Sequence, residues 1–308
     1  MMKHYLVFDW GGTFLKYAVM NEETEILHKD KIPAPSGDST KEEFYRLLDP
    51  IVEQYRNEIA GIAVSMPGML DDRTGYCRTG GSLKFNAGTN VAKEMFERWQ
   101  LPVSVENDGK AAVLAEHWKG ALQGCHDCAV LIIGTGIGGG IILNDRLLVG
   151  KDFSAGEYSY ICTNDAHTDT FDGFWCRNGH KVIGRRLSAA TGEAEESLDG
   201  IELFKRIRNN DETAKQVLRE IAADYAVQIY NLSILLNLEK IAVGGGISAD
   251  PLLIDYLKKA LWDMHERLPF GPTENSALIM ADVVPCQFRN DANLIGALYH
   301  HLYGTWEN

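Results

Sequence analysis

The sequence predicts an α/β fold organised as two domains, and three observations carry that expectation. Short apolar runs such as Tyr5–Phe8, Ile62–Val64, Val103–Val105, Ala129–Ile133 and Ile241–Val243 alternate with longer stretches whose apolar residues recur at helical spacing. Two of these runs end in glycine-rich turns of the same chemical kind, Asp9-Trp10-Gly11-Gly12-Thr13 and Gly134-Thr135-Gly136-Ile137-Gly138-Gly139-Gly140, about half a chain apart. The length, 308 residues, suits two hydrophobic cores.

Taken in order, the chain opens as a three-stranded meander over Tyr5–Asp9, Lys16–Met20 and Thr24–Ile32, with turns at Gly11-Gly12 and Asn21-Glu22. A helix is predicted over Thr40–Asn57 from the spacing of Phe44, Leu47, Leu48, Ile51, Val52 and Tyr55, with Ser39 or Thr40 as its cap. A buried strand over Gly61–Ser65, a helix over Val91–Trp99, a strand over Val103–Val105 and a helix over Gly109–Trp118 follow. The strand–turn pattern then restarts with Ala129–Ile133 and Gly140–Leu143, and Asn144-Asp145-Arg146 turns into Leu147–Val149. A long amphipathic helix over Glu212–Leu236, a strand over Lys240–Val243, a glycine triplet leading to a helix over Pro251–Arg267, and a closing helix over Asp291–Leu302 complete the chain.

Bulk composition narrows the function classes. At 45% hydrophobic and 24% charged the chain is an ordinary globular protein, and its formal net charge of -13 argues against a nucleic-acid or anionic-membrane surface, which needs clustered Lys and Arg. The opening Met1-Met2-Lys3-His4 runs straight into a strand, and the near-apolar stretch Tyr225–Leu238 is broken by Gln228, Asn231, Ser233 and Asn237, so neither a signal peptide nor a membrane span is expected, and the expected location is cytoplasmic. The six scattered cysteines read as reduced thiols. Cys125-His126-Asp127-Cys128 has metal-like spacing but no second pair to close a site, and reads as a turn with two ordinary thiols.

The glycine turns bear directly on chemistry. Without a Cβ the backbone reaches positive φ and brings N–H groups close to an anion, so two such loops suit a polyphosphate and hence a phosphotransferase. Between them, Val103–Val105 leads into Glu106-Asn107-Asp108 at the start of a helix. Asp108 is either the helix cap or the base that phosphoryl transfer to a hydroxyl requires. Lys16 either reaches a phosphate or faces solvent from its strand.

The order Asp9-x-Gly11-Gly12-Thr13-x-x-Lys16, Glu106-Asn107-Asp108, Gly134-Thr135-Gly136-Ile137-Gly138-Gly139, Ala155-Gly156-Glu157 and Gly244-Gly245-Gly246 resembles the ROK family of bacterial sugar kinases and repressors over nearly the whole chain. That resemblance implies two RNase H-like domains of actin/hexokinase type around an ATP cleft. The first would comprise residues 1–118 with the closing segment 291–308, and the second residues 119–290. It implies Asp108 as general base, Asn107 orienting the sugar, Gly11, Gly12 and Thr13 on the terminal phosphates, and Asp9 holding Mg²⁺ through water. Gly134, Thr135 and Gly136 would cradle phosphates and Gly244, Gly245 and Gly246 would line the adenosine pocket. The substrate partner is a small sugar, and a homodimer is the family default. A repressor would need a winged-helix domain ahead of the Asp9 motif.

Departures from the family pattern point to substrate. Typical members carry Gly-Glu-x-Gly-His followed by a cysteine cluster that binds structural zinc. Here Gly156-Glu157-Tyr158-Ser159-Tyr160 places Tyr160 where the His would stand, and Trp175–His180 retains only Cys176, so no structural zinc is expected from Cys162, His167, Cys176 and His180. This pattern, with Thr79–Phe85 carrying Gly80 and Gly81, resembles the β-glucoside kinase branch, which phosphorylates O6 of the nonreducing glucose of cellobiose and related β-glucosides. In that reading Glu157 accepts from ring hydroxyls and Tyr160 lines a second sugar; otherwise Tyr160 is core filling. The alternatives are a kinase of a free hexose or N-acetylhexosamine, such as glucose or N-acetylmannosamine, or a regulatory sugar-binding protein.

Overall fold

The computed structural model describes residues 2–35, 39–134, 136–163, 173–174, 179–267 and 280–304. The chain divides into two compact units, one of residues 1–118, 146–155 and 290–308, the other of residues 119–145 and 156–289.

In the first unit the strands His4–Trp10, Phe14–Asn21 and Ile26–Pro33 form the antiparallel meander, with Asp9 paired opposite Lys16 across the Gly11-Gly12 turn. Ile59–Met66 and Val103–Asn107 extend the sheet on the other side of His4–Trp10, both parallel to their neighbours. Parallel strands are buried on both faces. One face is covered by Lys41–Tyr55 and Val91–Trp99, which bury Phe44, Leu48, Val52, Met95 and Trp99 into a core with Phe8 and Trp10. Thr40 caps the first of these helices through a complete capping box with Glu43. The helix Ala292–Tyr303 packs on the same sheet, and Asn293 and His301 reach Asp9 and Ser104 from it.

A three-stranded patch of two-residue strands, Leu70–Asp71, Tyr76–Cys77 and Thr89–Asn90, carries no sequence signal, because two residues are too few for any periodicity.

The second unit repeats the topology without repeating the sequence. Cys128–Ile133 and Ile137–Leu143 form an antiparallel hairpin around the second glycine turn, and Lys240–Gly244 and Asp282–Pro285 add in parallel beside Cys128–Ile133. Glu212–Leu236 runs over its predicted span, capped by Asp211 and stopped by Asn237 in the left-handed region at φ 52°. It buries Leu218, Ile221 and Tyr225, and the Tyr225 ring meets Phe174 edge-on at 4.9 Å. Helices His180–Thr191 and Gly200–Arg208 join it, and neither is predicted from the sequence. The glycine triplet leads into a short 3₁₀ turn, Gly246–Ala249, before the helix Pro251–Arg267 begins.

Among the described residues no helix is long and apolar enough to cross a membrane. Cys77, Cys125, Cys128, Cys162 and Cys286 are free thiols, and burial pushes the Cys128 thiol up to about 12. The Cys125–Cys128 pair is therefore two buried, inert thiols. Cys176 and His167 lie outside the described residues, as does the side chain of His180.

Candidate active site

Three parallel strands of the first unit deliver their carboxyl ends to one edge, with Asp9 registered opposite Ser65 and Ser65 opposite Glu106. Two strand spacings place the Asp9 and Glu106 backbones roughly 10 Å apart. The Gly11–Thr13 turn and the Asn107-Asp108 junction leave the sheet from this same edge.

Asn107 is buried and spends both ends of its amide. Nδ2 donates to the Gly68 carbonyl at 3.0 Å, and Oδ1 accepts the Lys110 backbone N–H at 3.1 Å. It is thus the cap of helix Asp108–Lys119, a duty the sequence left open for Asp108. Asp108 is the first helical residue and half-buried, with the Gly109 N–H donating to its Oδ1 at 2.8 Å. Its carboxyl thus stands at the N-terminus of the helix, one residue past the cap.

The predicted sugar loop belongs to the same constellation. Gly68, at φ 109°, lies under the Thr79 carbonyl, where a Cβ would overlap it, and Gly81, at φ 54°, abuts Pro67. Thr79 also accepts the Met69 N–H on Oγ1 at 2.9 Å. A Cβ on Gly12 would lie 3.8 Å from Ser82 Oγ, so the first glycine turn and the Gly80-Gly81 loop are neighbours. The first unit therefore brings together Asp9, Gly11, Gly12, Thr13, Gly80, Gly81, Asn107 and Asp108.

Lys16 is half-buried and turns its side chain toward Asp9 across the first glycine turn. Its Nζ pairs with Asp9 Oδ2 at 2.8 Å, and Asn293 Nδ2 donates to Asp9 Oδ1 at 3.0 Å from the closing helix. Nothing in the local sequence signals Asn293, which reaches Asp9 only through the fold. Directly before Asn107, Glu106 is fully buried and accepts the Asn107 N–H on Oε1 at 2.7 Å. Burial first and the nearby Asp72 second push its carboxyl up to about 8.

In the second unit the Gly134–Gly136 turn closes on itself, Gly134 N–H donating to the Gly136 carbonyl at 2.9 Å. Ser159 buttresses it by accepting the Ile137 N–H at 2.9 Å and donating to the Ile137 carbonyl at 3.0 Å. Ser159 sits in the short 3₁₀ turn Tyr158–Tyr160, so the turn that follows Glu157 is tied to the second glycine turn. Gly139 has room for no side chain because the Val130 carbonyl and the buried Tyr158 ring both close on it. Gly244 registers opposite Ile132, and Gly245, at φ 96°, lies against the Ile133 carbonyl. Gly134, Gly136, Glu157, Tyr160 and Gly244–Gly246 accordingly share one end of this unit's sheet. Thr135 lies outside the described residues. Tyr160 is 61% exposed, which rules out core filling; Tyr158 is the ring that fills the core.

The capping role of Asn107 makes a prediction. Asn107→Ala removes the cap and the Gly68 anchor together, and is expected to cost about 1–2 kcal/mol of stability. Chemical denaturation measures it, and an unchanged midpoint would show that the helix start is held by other contacts.

This mixed-sheet α/β architecture, with glycine turns at equivalent strand ends of both units, is the actin/hexokinase-type fold found in sugar kinases. The chain belongs to the ROK family, whose model matches residues 5–302. It is 32% identical to the β-glucoside kinase of Listeria innocua over 96% of each chain. It is 26% identical to the N-acetylmannosamine kinase of Haemophilus influenzae over 96% of this chain and 94% of that one. The crystal structure of a ROK family protein from Streptococcus pneumoniae in complex with sucrose superposes with a TM-score of 0.85 at 26% identity, covering 97% of this chain and 98% of that one.

Proposed function

We propose that this chain is an ATP-dependent kinase that transfers the γ-phosphoryl group to O6 of the nonreducing glucose of β-glucosides such as cellobiose. The observation that carries the reading is the division of labour at the helix start: Asn107 caps the helix, so the Asp108 carboxylate is spared that duty and stands at the helix N-terminus. Asp108 takes the proton from the attacking hydroxyl, and Asn107, fixed on Gly68, orients the sugar.

The residues present fit ATP and Mg²⁺. A Cβ on Gly246 would meet nothing within 4 Å, and one on Gly134 would come no nearer than 3.6 Å to another atom, so both glycines leave open space beside the backbone. Asp9 offers a hard oxygen donor of the kind Mg²⁺ takes through water. When bound, the ion neutralises charge on the transferring phosphoryl group. Gly11, Gly12 and Thr13 serve the terminal phosphates, Gly134–Gly136 the phosphates from the second unit, and Gly244–Gly246 the adenosine. Lys16, by pairing with Asp9, sets that carboxylate's position.

Substrate choice rests on Glu157 and Tyr160. Glu157 accepts from ring hydroxyls, and the exposed Tyr160 ring offers a stacking surface for the sugar attached at O1. A free sugar gains less from such a surface. In steady-state assays coupled to ADP release, kcat/KM for cellobiose is expected to exceed that for glucose and for N-acetylmannosamine. Tyr160→His is expected to shift the cellobiose-to-glucose ratio toward glucose by about 1–3 kcal/mol in transition-state terms. A wild-type preference for a free sugar over cellobiose would overturn the β-glucoside reading and leave a free-hexose or N-acetylhexosamine kinase.

A further inference from the structure

Beneath the closing helix, the first unit holds a polar cluster that phosphoryl transfer does not use. Asp72, Glu106 and His300 come from a turn, a strand end and a helix far apart in sequence, and are 6%, 0% and 6% exposed. One donor atom from each lies within 4.8 Å of the other two. His300 Nε2 is 3.9 Å from Asp72 Oδ2, and Nδ1 is 4.0 Å from Glu106 Oε2. Those separations are too long for hydrogen bonds. They run to different nitrogens of the His300 ring, so a single ion would take only one of them, and the three donor atoms it could use lie within 4.8 Å of one another.

Two further observations point to a missing ligand. Glu106 Oε2 and His300 Nδ1, on fully and nine-tenths buried side chains, have no hydrogen-bond partner among the described residues. Native interiors rarely leave such atoms unserved. The buried Lys110 acts on Glu106, drawing its carboxyl down against the effect of burial, and donates to the Phe153 carbonyl at 3.0 Å. A cavity of about 650 Å³, lined in part by Asp72, Ser104, Arg146 and His300, opens onto the cluster and gives an ion an entry path and room for water.

We propose that Asp72, Glu106 and His300 form a binding site for a divalent first-row transition-metal ion, with its remaining coordination positions open to this cavity. One imidazole and two carboxylates suit Zn²⁺ or Mn²⁺. The site is separate from Asp9 and from the cysteine-poor loop after Glu157. Its occupant ties the closing helix to the strand that carries Asn107 and Asp108, and stabilises the first unit by mass action.

The test uses full-length protein stripped with a chelator and kept free of nucleotide and sugar, titrated with Zn²⁺ and in parallel with Mn²⁺. Competition with a metal indicator reports affinity, and thermal unfolding reports stabilisation. One saturable equivalent that raises Tm is expected, with His300→Ala and the near-isosteric Glu106→Gln each weakening binding by more than the ~10- to 100-fold typical of losing an outer-shell partner. Cys162→Ser and Cys176→Ser should leave it unchanged. His300→Gln repeats the test if His300→Ala fails to fold. No saturable binding of either ion, binding that survives the His300 and Glu106 variants, or binding abolished by a cysteine variant would overturn the proposal. None of these outcomes depends on kinase activity.

Discussion

Asp108→Asn is expected to remove phosphoryl transfer while leaving sugar binding in place. The amide keeps the shape of the carboxylate, and its carbonyl oxygen can still accept the Gly109 N–H that now lies 2.8 Å from Oδ1. It cannot take up a proton at neutral pH. The cap should survive, because the Lys110 N–H is held by Asn107 at 3.1 Å and not by Asp108. The helix start and the Asn107–Gly68 contact should therefore persist, and the loss should fall on kcat. Removal of a general base costs ~10²- to 10⁴-fold. Calorimetric titration with cellobiose and turnover of the purified variant separate the two quantities. Turnover within threefold of wild type would refute the assignment of Asp108, and loss of binding together with turnover would mean that it holds the sugar instead.

The largest expected effect on stability comes from Gly296. The helices Ala292–Tyr303 and Asp108–Lys119 approach so closely there that a Cβ on Gly296 would overlap the Ala111 carbonyl carbon and oxygen. Those atoms are backbone within a helix, so no side-chain rotation relieves the clash; one helix must move. Overpacking in a core costs about 1–3 kcal/mol, occasionally more, and a backbone obstacle belongs at the upper end for Gly296→Ala and beyond it for Gly296→Val. Ala111 is one turn from Asp108, so the displacement also reaches the proposed base. Urea denaturation of Gly296→Ala is expected to show a midpoint well below wild type, with kcat reduced in the folded fraction. A stability change under about 0.5 kcal/mol would show that the helices separate at little cost.

Much of the architecture is legible from local pattern. Val91–Trp99, Glu212–Leu236 and Pro251–Arg267 run over their predicted spans because apolar spacing, a polar cap before the first two and turn residues after them agree at each site. The hairpins around the two glycine turns follow from alternation, whereas the expected positive φ is not found at Gly11, Gly12, Gly134, Gly136 or Gly138–Gly140. The patch at residues 70–90 and the helices His180–Thr191 and Gly200–Arg208 escaped, the first because its strands are too short for a period. Tertiary contacts also place residues 146–155 with the first unit.

By itself, then, the sequence determined the order of strands, turns and helices and the residue types at each strand end, since these depend on backbone preference and hydrophobic period over a few residues. Only the tertiary structure decided which side chain does what at those ends. Asn107 became the cap because Gly68, from the bend after Ile59–Met66, fixes its amide. Lys16 became the partner of Asp9 through cross-strand register, and Asn293 joined them from the far end of the chain. Tyr160 was left exposed because Tyr158, two residues earlier, had already filled the space above Gly139. Glu106 met His300 under a helix 194 residues further on by the numbering of the chain. Asn107–Gly68, Asn293–Asp9 and Glu106–His300 are contacts across large sequence separation, set by the packing of whole elements and absent from any local pattern, while Lys16 meets Asp9 across a single hairpin.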